Sequence, residues 1–299
     1  MRITKGQRIF AVFNYIFLTL LALSCILPIL HLLAVSLSSK VASDNNMVGL
    51  IPVDFNTDSY KYLIQGNTFF RSFGVSVYRA VLGTAINILL IVLLAYPLSK
   101  NKEEFTGRPV YIGLLLFVMI FSAGMVPYYL FINDLNLFDT IWALVLPTSV
   151  PIFSVILMMN FMRSLPREIE EAAKVDGANY LQCLVRIVLP VCLPSIATVT
   201  LLAFVTHWNS WFDGLLYNND IANYPLQTYL QVILTNKAPS NIDESMVNIG
   251  RNMKSAQIFV TMLPLLLVYP FLQKYFVTGM VIGSGKGLKN EKHLHTYRG

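Results

Sequence analysis

The chain has 299 residues, of which 55% are hydrophobic and 13% charged, with a mean hydropathy of +0.59. A soluble globular domain carries about 25% charged residues, so that class is excluded. The apolar residues are gathered into blocks, and roughly 20 in a row suffice to cross a bilayer. A net charge of +6 and a pI near 9.1 would suggest a nucleic-acid partner in a soluble protein, but the placement of the charges explains them better and no nucleic acid is expected.

Six apolar segments are predicted as spans, at residues 9–36, 75–98, 110–131, 140–161, 187–208 and 256–272. Backbone groups in lipid must be bonded internally, so the segments are expected to be helices. The alternation of a membrane β-barrel is absent. The expectation is therefore an all-α membrane protein, one transmembrane domain over residues 1–299. The first segment follows Arg2, Lys5 and Arg8, and Ala34 and Ser36 imitate a cleavage site. The apolar run exceeds the roughly 7–15 residues of a signal core, so an uncleaved first span is expected. The last segment contains Pro264 and Pro270, and the turn-rich and polar stretches 37–74 and 214–255 are long but too small for a separate domain.

Charge sets the orientation. If the N-terminus is inside, the inside segments 1–8, 99–108, 162–186 and 273–299 hold three, three, four and five Lys or Arg residues. The remaining seven are Lys40, Lys61, Arg71, Arg79, Lys237, Arg251 and Lys254, in outside segments or at the outer end of the second span. Positive charge is retained on the cytoplasmic side, which places both termini in the cytoplasm, with the tail 273–299.

Between the fourth and fifth segments lies R-S-L-P-R-E-I-E-E-A-A-K-V-D-G-A-N-Y-L-Q-C-L-V-R-I-V-L-P, from Arg163 to Pro190. Pro166 suits a first helical turn. Glu168, Glu170 and Glu171 sit where a helix N-terminus favours negative charge. Ile169, Ala172 and Ala173 offer a small apolar strip, and Gly177 can end the helix at positive φ. A second amphipathic stretch runs from about Asn179 to Arg186. The predicted product, over 163–186, is a short helix–turn–helix on the membrane surface. An ordinary interfacial loop is the competing explanation.

The spacing decides between them. Glu171, Ala172 and Ala173, three residues, Gly177, nine residues, Ile187, one residue, then Leu189 and Pro190 resemble the coupling loop of permease subunits from binding-protein-dependent ATP-binding-cassette importers. The chain as a whole is similar to the smaller, six-span subunit of the maltose-type carbohydrate permeases, and to their LplC-like oligosaccharide branch. The similarity is carried by A-Y-P-L-S-K (Ala95 to Lys100), F-S-A-G-M-V-P-Y-Y-L (Phe121 to Leu130), D-T-I-W-A-L-V-L-P (Asp139 to Pro147) and the stretch from Tyr269 to Gly287. The resemblance implies a type I importer permease in the bacterial cell membrane. It implies a second homologous permease, two cytoplasmic ATPase subunits, an extracytoplasmic solute-binding protein and an oligosaccharide cargo. Glu171, Ala172, Ala173, Asp176, Gly177, Ile187, Leu189 and Pro190 are then the ATPase-coupling residues. The chain itself needs no cofactor or metal; ATP and Mg belong to the partner ATPase, and no catalytic residue is expected.

G-S-G-K-G at Gly283 to Gly287 is not a phosphate loop, because the upstream glycine is missing and Lys286 is followed by Gly287. T-H-W-N-S-W-F-D-G-L-L-Y, from Thr206 to Tyr217, is a candidate substrate path. Trp208 and Trp211 have faces for sugar rings, while His207, Asn209 and Asp213 can bond hydroxyls; an aromatic belt at the interface is the simpler alternative. Asn87 is a polar residue inside the second span, suited to an interhelical contact or to the path, and His31 suits packing better than ligation. Cys25, Cys183 and Cys192 lack metal-ligand or redox spacing. A stand-alone secondary transporter would need an inverted repeat or an ion site, and a membrane transferase would need an interfacial catalytic set; neither pattern is evident.

Overall fold

The computed structural model describes residues 5–121, 123–235 and 249–270. The last two residues of the sixth predicted segment, the tail 273–299 and the Gly283 to Gly287 string lie outside the described residues. Those described form helices and turns, with no strand among them. Among the described residues, three helices are long and apolar enough to cross a membrane unbroken: α1 (Lys5–Ser36), α4 (Asn67–Ser99) and α15 (Arg251–Pro270).

The other three predicted spans are each broken. The third is divided into α5 (Arg108–Ile120) and α6 (Met125–Asp134), with Gly124 at φ 86° starting the second piece. The fourth consists of α7 (Ile141–Val145), a tight turn over Leu146–Thr148, and α8 (Ile152–Arg163), bent by 49°. Pro147 and Pro151 flank that break and lack the N–H that would bridge it. In the fifth, residues 187–191 belong to an approach helix lying 83° from α12 (Leu193–Asn209). That difference from the expected 187–208 span has a cause in the sequence. Pro190 and Pro194 each remove a backbone donor, and the chain passes through a wide turn at Leu184–Val188 first.

Contacts divide the chain into two units, Met1–Arg71 with Tyr229–Pro264, and Ser72–Thr228 with Leu265–Gly299. In the first unit, the apolar window of α1 is wholly unburied, as suits a helix whose solvent is lipid. Its end is fixed by Ser38 Oγ, which donates to Ala34 O at 2.7 Å, and Ser39 caps α2 (Lys40–Asp44) by accepting from Ala42 N. Ala34, Val35, Ala42 and Val48 make a small core there. His31 Nδ1 lies 2.8 Å from Gly49 O; a carbonyl only accepts, so Nδ1 donates. The turn after α2 is joined to the start of α15, where Arg251 N donates to Asp44 Oδ1 at 3.0 Å.

In the second unit, Ile91, Val92, Ala95 and Tyr96 of α4 meet Val155, Met158, Met159 and Met162 of α8, with Leu184, Val188, Cys192 and Val199. The spacing on α8 (i, i+3, i+4, i+7) is that of one helical face. Between lipid-embedded helices such packing works by dispersion and shape, because lipid is as apolar as leucine. A second cluster of Ile132, Ala143, Leu144 and Tyr217 lies near Asp139. There Asp139, at φ 59°, accepts from Asn219 N at 2.6 Å and from Asp220 N at 3.0 Å.

Candidate functional site

The stretch after α8 folds as a compact helix–turn–helix. Pro166 is the N-cap of α9 (Arg167–Val175), one position before its expected place, with φ −61° and ψ 129°. Glu168 and Glu170 occupy the first turn and Lys174 the last, each matching the helix dipole. At the C-terminus Gly177 takes φ 83°. Its N–H donates to Lys174 O at 3.0 Å, and the N–H of Ala178 donates to Ala173 O at 2.9 Å. This paired closure satisfies carbonyls that the helix leaves free. The chain restarts at once, because Asn179 and Gln182 cap each other reciprocally at 2.9 Å, opening α10 (Tyr180–Cys183).

The side of α9 that bears Arg167, Glu170 and Lys174 faces the protein. Glu170 pairs with Lys100, Lys174 Nζ donates to Glu104 Oε2 at 3.0 Å, and Arg167 donates to Asn101 Oδ1 at 2.7 Å. The Glu104 hydrogen bond holds the Lys174 ammonium pKa above its ordinary value. The other side carries Ile169, Ala172 and Val175 between Glu168, Glu171 and Asp176, all exposed; Val175 retains 88% of its surface. An apolar stripe is thus presented outward, between carboxylates.

Of the residues singled out in this stretch, Glu171, Ala172, Asp176 and Gly177 are exposed and Ala173 is half-buried on the inner side. Ile187 and Leu189 are half-buried, and Leu189 packs on the main core. Pro190 stands exposed just before the 83° bend. The motif therefore runs from α9 through the Gly177 turn to the bend that precedes α12.

The second candidate region is a polar cluster. Arg79, on α4, is fully buried and pairs with Asp213 at the start of α13 (Phe212–Tyr217). It also donates to Ser210 O at 3.2 Å and to Leu144 O at 3.3 Å. Asp213 Oδ1 accepts further from Ser210 Oγ and from Gly214 N. Two turns along α4, Asn87 donates its amide to both Thr148 O and Ser149 O at 2.8 Å. These are carbonyls exposed by the break before α8, so Asn87 is the internal partner that broken backbone in a membrane requires. With its nitrogen so committed, Asn87 Oδ1 is an acceptor, and His207 Nε2 donates to it at 2.7 Å.

The residues of the candidate substrate path are divided between buried and exposed positions. Trp208 is 2% exposed, edge-on to Phe73 at 5.9 Å and stacked on Phe204 at 6.0 Å, so its faces are occupied in this structure. His207 is buried as well, and Asp213 is committed to Arg79. Asn209 and Trp211 are exposed, Trp211 packing edge-on against Phe212 at 5.5 Å. Arg79 is the residue that the sequence reading passed over, counted only as an outer charge. The signal was present: an arginine inside an apolar helix seeks a partner within the bundle.

Comparison with known proteins follows the same lines. The family model described as "Binding-protein-dependent transport system inner membrane component" matches residues 73–282. Protein LplC of Bacillus subtilis (strain 168) is 42% identical over 95% of this chain and 97% of its own length. The polygalacturonan/rhamnogalacturonan transport system permease protein YtcP of the same organism is 39% identical over 94% and 99%. Among solved structures, a chain of a bacterial ABC transporter involved in the import of the acidic polysaccharide alginate superposes with a TM-score of 0.82 at 31% identity, covering 92% of this chain and 99% of that one. The chain belongs to the inner membrane components of binding-protein-dependent transport systems.

Proposed function

We propose that this chain is the permease subunit of an ATP-binding-cassette importer for a carbohydrate, an oligosaccharide in particular. The observation that carries the reading is the α9–α10 projection. It bears the Glu171, Ala172, Ala173 and Gly177 spacing, is charged toward its own protein, and presents Ile169, Ala172 and Val175 outward. Alanine at the centre of that stripe admits close approach by a partner, and Glu171 offers it a charge. Three unbroken helices and three bent pairs support six spans, and the distribution of Lys and Arg supports cytoplasmic termini. The partners are a second permease, two ATPases that bind ATP and Mg, and an extracytoplasmic binding protein. Closure of the ATPases around α9 would drive alternating access. Relatives named for polygalacturonan, rhamnogalacturonan and alginate make an acidic oligosaccharide the first cargo to assay.

Two experiments test this. The full assembly in vesicles imports labelled oligosaccharide only with ATP and the ATPase present; import by this chain alone refutes the reading. A cysteine introduced by Ala172→Cys crosslinks to the ATPase in the active assembly; absence of that adduct removes the docking role.

A further inference from the structure

We propose that the turn following α4, residues 100–104, is a second grip on the coupling helix, so that α9 and the inner end of α4 move as one body. The inference rests on the docking reading of α9 and adds a transmission route to it. Through the chain itself, α9 is connected to α8 before it and to α12 after it. The contacts of its inner side run elsewhere. Arg167, Glu170 and Lys174 are spaced i, i+3 and i+7, one face of the helix, and all three bond to a single five-residue turn, through Asn101, Lys100 and Glu104.

The central pair dominates. The Lys100 and Glu170 side chains are 10% and 17% exposed, and the Lys100 ammonium lies 4.1 Å from the centre of the Tyr96 ring. A shielded ion pair of this kind resists separation, because parting it strands two poorly solvated charges. The outer contacts are solvent-screened and fix orientation more than strength. The turn is stiff on its own account: Lys100 N donates to Pro97 O at 3.2 Å and Phe105 N to Asn101 O at 2.9 Å. Lys100 directly follows the last residue of α4, and Arg108 Nε donates to Leu98 O at 2.9 Å, joining the start of α5 to the same end. A push on α9 therefore reaches α4 through side chains, and α4 carries Arg79 and Asn87 of the polar cluster.

The test locks the grip shut. Asn101→Cys and Arg167→Cys are introduced together, with Cys25→Ser, into the complete assembly, and the pair is joined by a reducible bifunctional thiosulfonate bridge long enough to span an Arg–Asn side-chain contact. If turn and helix travel together, import per ATP hydrolysed stays within about twofold of the reduced form. Loss of import on bridging with recovery on reduction overturns the proposal, because it means the two must part during the cycle. A second measurement breaks the grip. Lys100→Met is expected to lower import per ATP by about 5- to 150-fold, the range of an ordinary coupling between sites, while the Ala172→Cys adduct with the ATPase still forms. Unchanged import in that variant overturns the proposal and leaves docking intact. Failure of the adduct in the unlocked parent assembly instead removes the docking reading itself.

Discussion

His207 Nε2 donates to Asn87 Oδ1 at 2.7 Å, and that bond joins α12 to α4 at the level where the fourth span is broken. Asn87 serves three groups with one amide: two backbone carbonyls and the imidazole. Replacing it by Leu, close in volume, strands the Thr148 and Ser149 carbonyls and the imidazole N–H. Each buried group left without a partner costs about 1–3 kcal/mol. Asn87→Leu is expected to lower the thermal midpoint of the detergent-solubilised assembly clearly. Asn87→Asp should be as harmful, because a carboxylate cannot donate to carbonyls. A midpoint unchanged in both variants would show that water satisfies the break.

Arg79 and Asp213 should show the asymmetry of a buried pair. Removing either partner leaves a largely buried charge without its counter-ion, at about 3–5 kcal/mol. Arg79→Met and Asp213→Asn are each expected to impair folding, read as the yield of monodisperse protein. The double variant should recover much of the loss, because two neutral side chains replace two charges. If the double variant is as poor as the sum of the singles, the pair is not coupled.

Much of this architecture was legible in the sequence, and the failures have causes. The helical character of the apolar segments was visible because backbone in lipid must be bonded internally. The Gly177 turn was visible because few residues other than glycine end a helix at positive φ so readily, and the structure places it at 83°. The breaks at Gly124, at Ser149–Pro151 and at Cys192 were not visible, because apolar content says nothing about whether a span is straight; only the prolines hinted at them. The partnership of Arg79 with Asp213, 134 positions apart, is long-range and leaves no periodic trace. Burial of Trp208 is of the same kind: the sequence offers an aromatic face, and only packing against Phe73 and Phe204 decides that it is covered.

Close approach at Gly83 gives a further prediction. A Cβ there would lie 2.5 Å from both Cε1 and Nε2 of His207. The ring is buried and hydrogen-bonded, so it cannot step aside freely. Gly83→Ala is expected to cost about 1–3 kcal/mol by overpacking. Adding His207→Ala should remove the clash, so that the double variant is more stable than the sum of the singles predicts. Simple additivity in a double-mutant cycle would show that the two positions do not touch.

Asp139 predicts a pH dependence. Burial works against its charge, yet donation from Asp220 N and from the backbone and side chain of Asn219 holds its pKa below the ordinary carboxylate value. A group with a depressed folded pKa stabilises the fold above its unfolded pKa, about 3.9, and loses that contribution as pH falls through the folded value. Asp139→Asn keeps the left-handed backbone that asparagine tolerates but removes the titration. The midpoint difference between parent and variant should therefore be constant from neutral pH to about pH 5 and shrink below it. A difference that grows on acidification would contradict the sign.

Gly177 separates the geometry of the projection from its chemistry. Alanine at φ 83° is strained by about 1–2 kcal/mol, while nothing lies within 4 Å of a Cβ placed there. The cost of Gly177→Ala is thus conformational, and it falls on the turn that aims α9 and α10 apart. Gly177→Asn adds more atoms but suits the same backbone better. Asparagine should therefore be tolerated where alanine is not, the reverse of what steric contact with a partner would give. With Ala172→Cys as reporter, the rate of crosslinking to the ATPase should fall about tenfold for the alanine variant, equivalent to roughly 1.4 kcal/mol, and only slightly for the asparagine variant. If asparagine is the worse of the two, the glycine is present to make room for the docked subunit, and the turn is not its reason.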